Sequence, residues 1–330
     1  MSAAVSVVIT TYNRAGLLAR AVDSALGQRF PTDQVEVIVV DDGSTDGTRE
    51  LVRTRYGEKI RYFHKPNGGM NSASQFGIEQ AQGAVVALLD SDDYWYEDKL
   101  ARCMPLFAQS DAVVAVLHDL DRVESDSGVK RGRIWGEKDA SFGTEPRDAL
   151  QHYLSGKPIK AITSGLLLKR ETVLKILPFP EGLRRFHDAY FMRNILFFGK
   201  ICAIHDPLGA YAIHGSNDYG FKPFRELSDE RLEQAIVEAR LMSESFNRRC
   251  AQFGISESSQ RNRIQRFALA EILMEKHRRE GTIPAIAWLA KNDLRLGVRE
   301  RLHLTTRLTM PPRVASFVNN RILVGNASVD

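Results

Sequence analysis

The 330-residue chain predicts an α/β fold, an open and mostly parallel sheet flanked by helices, with a C-terminal α-helical extension. Three observations carry that expectation. Short runs rich in β-branched residues alternate with amphipathic stretches of helical period through roughly the first hundred residues. A polar loop follows each of those runs. From Arg225 onward the pattern changes to long helical stretches with charged outer faces, which puts a boundary near residue 224 and divides the chain into 1–224 and 225–330.

The first run, "VSVVIT" from Val5, suits a strand buried on both faces. In "LLARAVDSALGQ", which follows, Leu17, Leu18, Ala21, Val22, Ala25 and Leu26 share one helical face. The unit repeats in "VEVIVV" from Val35 and "DDGSTDGTRELVRTRYG", where Ser44, Thr45 or Asp46 suits a helix N-cap. A third strand is expected at "IRYFHK", before a Gly-rich loop and the helical "SASQFGIEQAQG", and a fourth at "AVVALL". Right-handed crossovers then make the sheet parallel. Further on, "AVVAVLHDL" reads as a strand, "AITSGLLLKRETVLKIL" as a strand running into a helix, and "AYFMRNILFFGK" as an amphipathic helix. The tail holds the helical patterns "DERLEQAIVEARLMSESFNRRCAQFG" and "QRNRIQRFALAEILMEKHRREG". Ligands of open α/β sheets gather outside the carboxyl ends of the strands. "TTYNR", "DDGSTD", "NGG" and "DSDD" each sit just after an expected strand, so four polar loops should meet on one rim.

Composition removes several classes of function. A net charge of +4 spread over this length, with no Lys/Arg block, argues against nucleic acid as a partner. Cys103, Cys202 and Cys250 are far apart and show neither zinc-site spacing nor a disulfide framework, which fits a reducing compartment. The N-terminus lacks the basic segment of a secretory signal, and no apolar stretch approaches the roughly 18 residues of a membrane span. A cytoplasmic protein is expected, soluble or peripheral at the inner membrane face.

"ALLDSDDYWYEDKL" crowds Asp90, Asp92 and Asp93 behind an apolar run. Two like charges about 4 Å apart repel by roughly 4 kcal/mol at an effective dielectric of 20. Either this is a solvated turn with a helix cap, or a divalent cation makes the crowding favourable. A calcium loop of the EF-hand kind fails, because its fifth and sixth positions would be Tyr94 and Trp95. Neither "GxxxxGK[ST]" nor "GxGxxG" occurs in the chain.

Taken together, "VSVVITTYNRAGLLARAVDSALGQ", "VIVVDDGSTDGT", "NGGMNSASQFGIEQAQG" and "VVALLDSDDYWYEDKL" resemble glycosyltransferase family 2, whose fold is GT-A. A looser match continues through "RRFHDAYFMRNILFFGK" and "DPLGAYAIHGSN" to about residue 220, and the helical tail has no counterpart. The resemblance implies inverting transfer of a sugar from a nucleotide-diphospho-sugar, usually a UDP-sugar, to a hydroxyl of a saccharide or glycolipid in polysaccharide or glycan assembly. It assigns Thr10, Thr11, Tyr12 and Arg14 to the nucleotide, with Tyr12 stacking on the base. Asp41 or Asp42 accepts from the base or ribose, as an ionised carboxylate can. Asn67, Gly68 and Gly69 approach the ligand, and Gln75 joins them. Asp90, Ser91 and Asp92 belong to the nucleotide site, while Asp92, Asp93 and His214 form the metal set for Mg²⁺ or Mn²⁺, ions that share oxygen ligands with substrate phosphates. Asp188 is the implied general base, and His187 and Trp95 the implied acceptor or sugar pocket, Trp95 being equally suited to the core. Two positions depart from the family. Ser74 and Gln75 follow Ala73 where relatives often carry Ala-Arg-Asn, leaving Arg184 or Arg185 as alternative sources of charge, and His187 stands where an acid is usual.

Those departures motivate an alternative reading, a non-catalytic nucleotide-sugar-binding or scaffold subunit. A sugar-phosphate nucleotidyltransferase is a further one, although "TTYNRAG" lacks the Gly-rich basic loop that such enzymes need. The tail is expected to pack on the catalytic part or to build a homo-oligomer, with peripheral membrane contact through "HLTTRLTMPPRVASFVNNRILVG" as the minority reading.

Overall fold

The computed structural model describes residues 3–135, 142–154, 159–215 and 228–255. Residues 3–135, 142–153 and 159–215 form one compact unit, and 228–255 belong to a second. In the first unit β1 (Val5–Thr11), α1 (Ala15–Leu26), β2 (Val35–Asp41), α2 (Thr48–Arg55), β3 (Arg61–His64), α3 (Met70–Gln80) and β4 (Val85–Asp90) alternate as the apolar periodicity requires. β1 lies parallel between β2 and β4, with Val5 opposite both Val35 and Val85, and β3 flanks β2.

Period-two alternation divides β1 and β2 between two faces. Val5, Val7, Ile9, Val37 and Val39 join the core cluster of Leu18, Ala21, Val22 and Ala25, the buried stripe of α1. Val8 and Val40 meet α3, where Gly77 permits close approach: a Cβ there would lie 2.4 Å from Val8 Cγ1 and 3.1 Å from Val40 Cγ2.

After β4 come β5 (Tyr94–Trp95), α4 (Lys99–Phe107), β6 (Val113–Glu124), β7 (Lys130–Arg133), α5 (Ala149–Leu154), β8 (Leu166–Lys169), α6 (Arg170–Leu174), α7 (His187–Ile195) and β9 (Lys200–Ile213). The sheet order is β3-β2-β1-β4-β8-β6-β9-β5, with β7 paired to β6. It is parallel from β3 to β4 and mixed beyond, because β8 runs against both β4 and β6, β5 runs against β9, and β9 runs with β6. The apolar pattern of β9 is broken by "HDP", where its register against β6 shifts near Pro207. Gly209 lets β5 close on β9, since a Cβ would lie 2.8 Å from the Tyr94 carbonyl oxygen.

In the second unit, α8 (Asp229–Gln252) is capped by Ser228, whose hydroxyl accepts the Arg231 N–H at 3.3 Å. Asp229 and Glu230 in its first turn suit the positive end of the helix dipole. The boundary expected near 224, the second helical pattern of the tail and the segment expected to favour membranes lie outside the described residues. No helix among the described residues is long and apolar enough to cross a membrane. Cys103, Cys202 and Cys250 are buried.

Candidate active site

β1, β2 and β4 end together, with Thr10 opposite Asp90 and Thr11 opposite Asp41, so their loops leave the sheet on one rim. The first two loops are cross-linked. Asn13, in the left-handed region at φ 50°, accepts the Thr45 N–H on Oδ1 at 2.8 Å and donates its own N–H to Ser44 Oγ at 2.9 Å. Asp46 accepts the Ala15 N–H at the start of α1 at 3.0 Å. Tyr12 stands out from this junction, 49% exposed. Thr11 is buried, and its Oγ1 has no hydrogen-bond partner.

Asp41 and Asp42 are both buried and both engaged. Asp41 accepts the Ser44 N–H at 2.7 Å and the Tyr62 hydroxyl at 2.5 Å. Burial first, and then this carboxylate, push the Tyr62 phenol well above its ordinary pKa. Asp42 accepts from Lys65 Nζ at 2.7 Å, from the Gly68 N–H at 3.0 Å and from the Gly69 N–H at 2.7 Å, and so shapes the glycine loop. Gly69 needs its φ of +89° and its missing Cβ, which would sit 3.1 Å from the Arg184 carbonyl oxygen. Beside it Asn71 donates through Nδ2 to the carbonyls of Leu183 at 3.0 Å and Arg185 at 2.9 Å, fastening the segment before α7 to the start of α3.

The acidic loop sorts its three carboxylates by direction. Asp93 points inward and is fully engaged: Oδ2 accepts the Ser164 hydroxyl at 2.5 Å, and Oδ1 accepts the Ala212 N–H of β9 at 2.9 Å. Asp92 turns the other way, where Oδ2 is ion-paired with Arg14 and lies 3.0 Å from His214 Nε2. Asp90 is within electrostatic reach of both Asp92 and Asp188. Enclosure by protein, followed by the Asp92 and Asp188 charges, pushes its pKa up to about 8 against the pull of Arg14 and a Thr163 hydrogen bond. Enclosure and the charges of Asp92 and Asp90 also hold Asp93 well above the usual carboxylate range. Burial and these same three acids raise the Tyr211 phenol.

Under the loop lies a polar plug. Ser164 offers its hydroxyl to Asp93, accepts the Asp90 N–H at 3.1 Å, and accepts Trp95 Nε1 and Lys99 Nζ on its carbonyl at 2.8 and 3.1 Å. Lys99 is completely buried with Nζ 3.2 Å from the Trp95 ring centroid, and burial lowers its pKa well below the lysine range. Trp95 is thus core, not a wall facing solvent.

The first turn of α7 carries His187 and Asp188 in different directions. His187 is buried, with Nε2 2.9 Å from Thr163 Oγ1, and burial lowers its pKa. It therefore lies beneath the rim, where the sequence reading expected it at the sugar. Asp188 is half-buried, accepts the Ala189 N–H at 2.6 Å, and lies close enough to Asp90 to raise its pKa. Phe186, at φ 66°, makes the left-handed turn that enters α7, and the two side chains diverge because they are consecutive on the helix. Gln75 is held by Glu79 at 2.8 Å and the Phe179 N–H at 3.2 Å. Arg184 donates to Asn67 Oδ1 at 3.2 Å beside the glycine loop. Ser91 is buried.

The rim therefore brings together Thr10, Thr11, Tyr12, Arg14, Asp41, Asp42, Gly68, Gly69, Asp90, Asp92, Asp188 and His214, while Trp95, His187 and Asp93 lie beneath it. Sequence reasoning overlooked Asn71, Thr163, Ser164 and Tyr211. Of these Asn71 alone left a trace, an amide just after the glycine pair at a helix start.

A sequence profile described as Glycosyl transferase family 2 matches residues 6–167. Over 239 residues the chain is 33% identical to an uncharacterized glycosyltransferase of Nostoc sp., covering 71% of this chain and 72% of that protein. The crystal structure of S. aureus TarS 1–349 in complex with UDP-GlcNAc is similar at a TM-score of 0.58 and 17% identity, covering 98% of this chain and 93% of that one. A mannosyltransferase from Pyrobaculum calidifontis, PcManGT, in complex with GDP-Man and Mn²⁺ gives 0.51 and 20% identity, covering 98% and 88%. At such identities the two structures speak for the fold, a GT-A sheet with flanking helices. The profile match and the extended Nostoc relative show that this chain belongs to glycosyl transferase family 2.

Proposed function

We propose that the protein is an inverting glycosyltransferase that takes a UDP-sugar donor, uses Mn²⁺ or Mg²⁺, and transfers to a saccharide hydroxyl in polysaccharide or glycan assembly. The observation that carries this reading is the convergence of Asp90, Asp92 and Asp188 on one rim, joined by His214. Asp92 and His214 fit a divalent cation, because a carboxylate oxygen and an imidazole nitrogen turn toward each other and both suit Mn²⁺. Among the described residues no three His, Cys, Asp or Glu side chains form a metal-holding group, so in this reading the remaining ligands come from the donor's diphosphate. Asp93 acts in this reading as the support that aims Asp92 outward, both its oxygens being spent on Ser164 and Ala212.

When bound, the cation supplies Lewis-acid neutralisation of diphosphate charge. The chain's own groups do the rest. Tyr12, half exposed at the rim, offers a face to the base, and Thr10, Thr11 and Asp41 border the ribose. Gly68 and Gly69 bring backbone near the diphosphate with Asn67 and Gln75 behind them. Asp188 accepts the proton of the acceptor hydroxyl as its oxygen bonds to the anomeric carbon and the bond to the diphosphate breaks, which inverts that centre. UDP leaves.

Purified protein should transfer sugar from a UDP-sugar in a Mn²⁺-dependent way, with GDP- and dTDP-sugars as controls. Asp188→Asn should lose about 10²–10⁴-fold in kcat while its UDP affinity, measured by calorimetry, stays within about twofold of native. Native activity in that variant would remove Asp188 as the base. Absence of single-turnover transfer from every donor would favour a scaffold subunit.

A further inference from the structure

Arg14 and His214 meet on the same atom, Asp92 Oδ2. A dication held by Asp92 and His214 needs that oxygen, so it must displace the guanidinium. The backbone on either side of Arg14 is fastened, by Asn13 to the loop at Ser44 and Thr45 and by the Ala15 N–H to Asp46. Only the side chain is left to move, and it is about a quarter exposed at 25%. Once displaced it keeps its charge next to the place where a diphosphate would meet the cation. The start of α3, with Ser74 and Gln75, adds no basic side chain there, while Lys65 is paired with Asp42 and Arg184 is bonded to Asn67 Oδ1. A planar, permanently charged fork suits phosphate oxygens. Arg20, the neighbouring cation, is committed elsewhere, because it donates to the main-chain oxygen of Asp92 at 3.0 Å and stacks on Tyr94 at 4.5 Å.

We propose that Arg14 is a transferable counter-ion, neutralising Asp92 until a divalent cation takes that carboxylate and then moving to the donor's diphosphate, so that cation and nucleotide bind cooperatively. This rests on the cation and nucleotide assignments above. The coupling is reciprocal, as binding linkage requires: each ligand raises the affinity of the other by the same factor.

Calorimetry on the full chain tests it, titrating Mn²⁺ alone and then UDP at saturating Mn²⁺ into native protein, Arg14→Gln and Arg14→Lys. Arg14→Gln should bind Mn²⁺ alone about tenfold more tightly, because nothing has to be displaced, yet bind UDP with Mn²⁺ about tenfold more weakly. Arg14→Lys should restore most of the UDP affinity, and thermal melts confirm that each variant is folded. The proposal is overturned if Arg14→Gln leaves the affinity for Mn²⁺ alone unchanged, if UDP affinity is unaltered, or if both weaken together. Native protein that binds no UDP with Mn²⁺ defeats the underlying assignment instead, so the two failures are distinguishable.

Discussion

Asp90 holds a proton in the folded chain at pH values where an unfolded aspartate has lost it, its pKa having moved from 3.8 to about 8. Between about pH 4 and 8 the native state therefore binds more protons than the unfolded one, and stability falls as pH rises through that window. Asp93 acts in the same direction. Thermal unfolding in EDTA should show the midpoint dropping by several degrees from pH 5 to pH 8, and Mn²⁺ with UDP should flatten the slope. His187, whose pKa burial lowers, pulls the other way below about pH 6.5, so the share of these acids is read as the fall that Asp90→Asn abolishes, and an unchanged slope in that variant would contradict their enclosure. Lys99 has the opposite sign, its pKa lowered well below the lysine range by burial, so folding disfavours its charged form. Lys99→Met keeps the side-chain length and removes that cost, and should raise stability at pH 7 by about 1 kcal/mol in urea unfolding.

At the scale of elements, two contacts set the position of α3. Gly77 lets it lie against Val8 and Val40, and Gly77→Ala should cost about 1–3 kcal/mol through overpacking, read as a lower urea midpoint with unchanged m. Asn71 ties the start of α3 to the carbonyls of Leu183 and Arg185, only a few residues before Asp188. Asn71→Ala should cost about 1–3 kcal/mol and lower kcat more than it raises KM if Asp188 is the proton acceptor proposed above, because it loosens the segment leading to that residue. β1 to β4 were legible in the sequence because each is a local apolar run followed by polar residues. β9 was not. Its alternation is interrupted by His205, Asp206 and Pro207 at the register shift, and its partners β5 and β6 are remote in sequence.

On the scale of the whole first unit, four loops separated by many residues are bonded into one rim: Asn13 to the 44–45 turn, Asp42 to the glycine loop, Asn71 to the segment before α7, and Arg14 to Asp92 of the acidic loop. A ligand that engages one should quiet the others. Hydrogen exchange with UDP and Mn²⁺ should show joint protection of residues 11–15, 41–47, 66–71 and 90–95, while α2 stays unchanged; protection confined to one loop would contradict a shared site. By itself the sequence determined the alternation of strand and helix, the rim on which the polar loops gather and the family, because hydrophobic period and loop position are local properties of the chain. Tertiary structure alone decided which acid does what. Asp92 and Asp93 are neighbours of identical chemistry, and only the approach of Ser164 and Ala212, 71 and 119 residues away, turns one inward and leaves the other at the rim. The same long-range packing, through Ser164 69 residues away, consigns Trp95 to the core, since a side chain's environment is set by whatever folds against it.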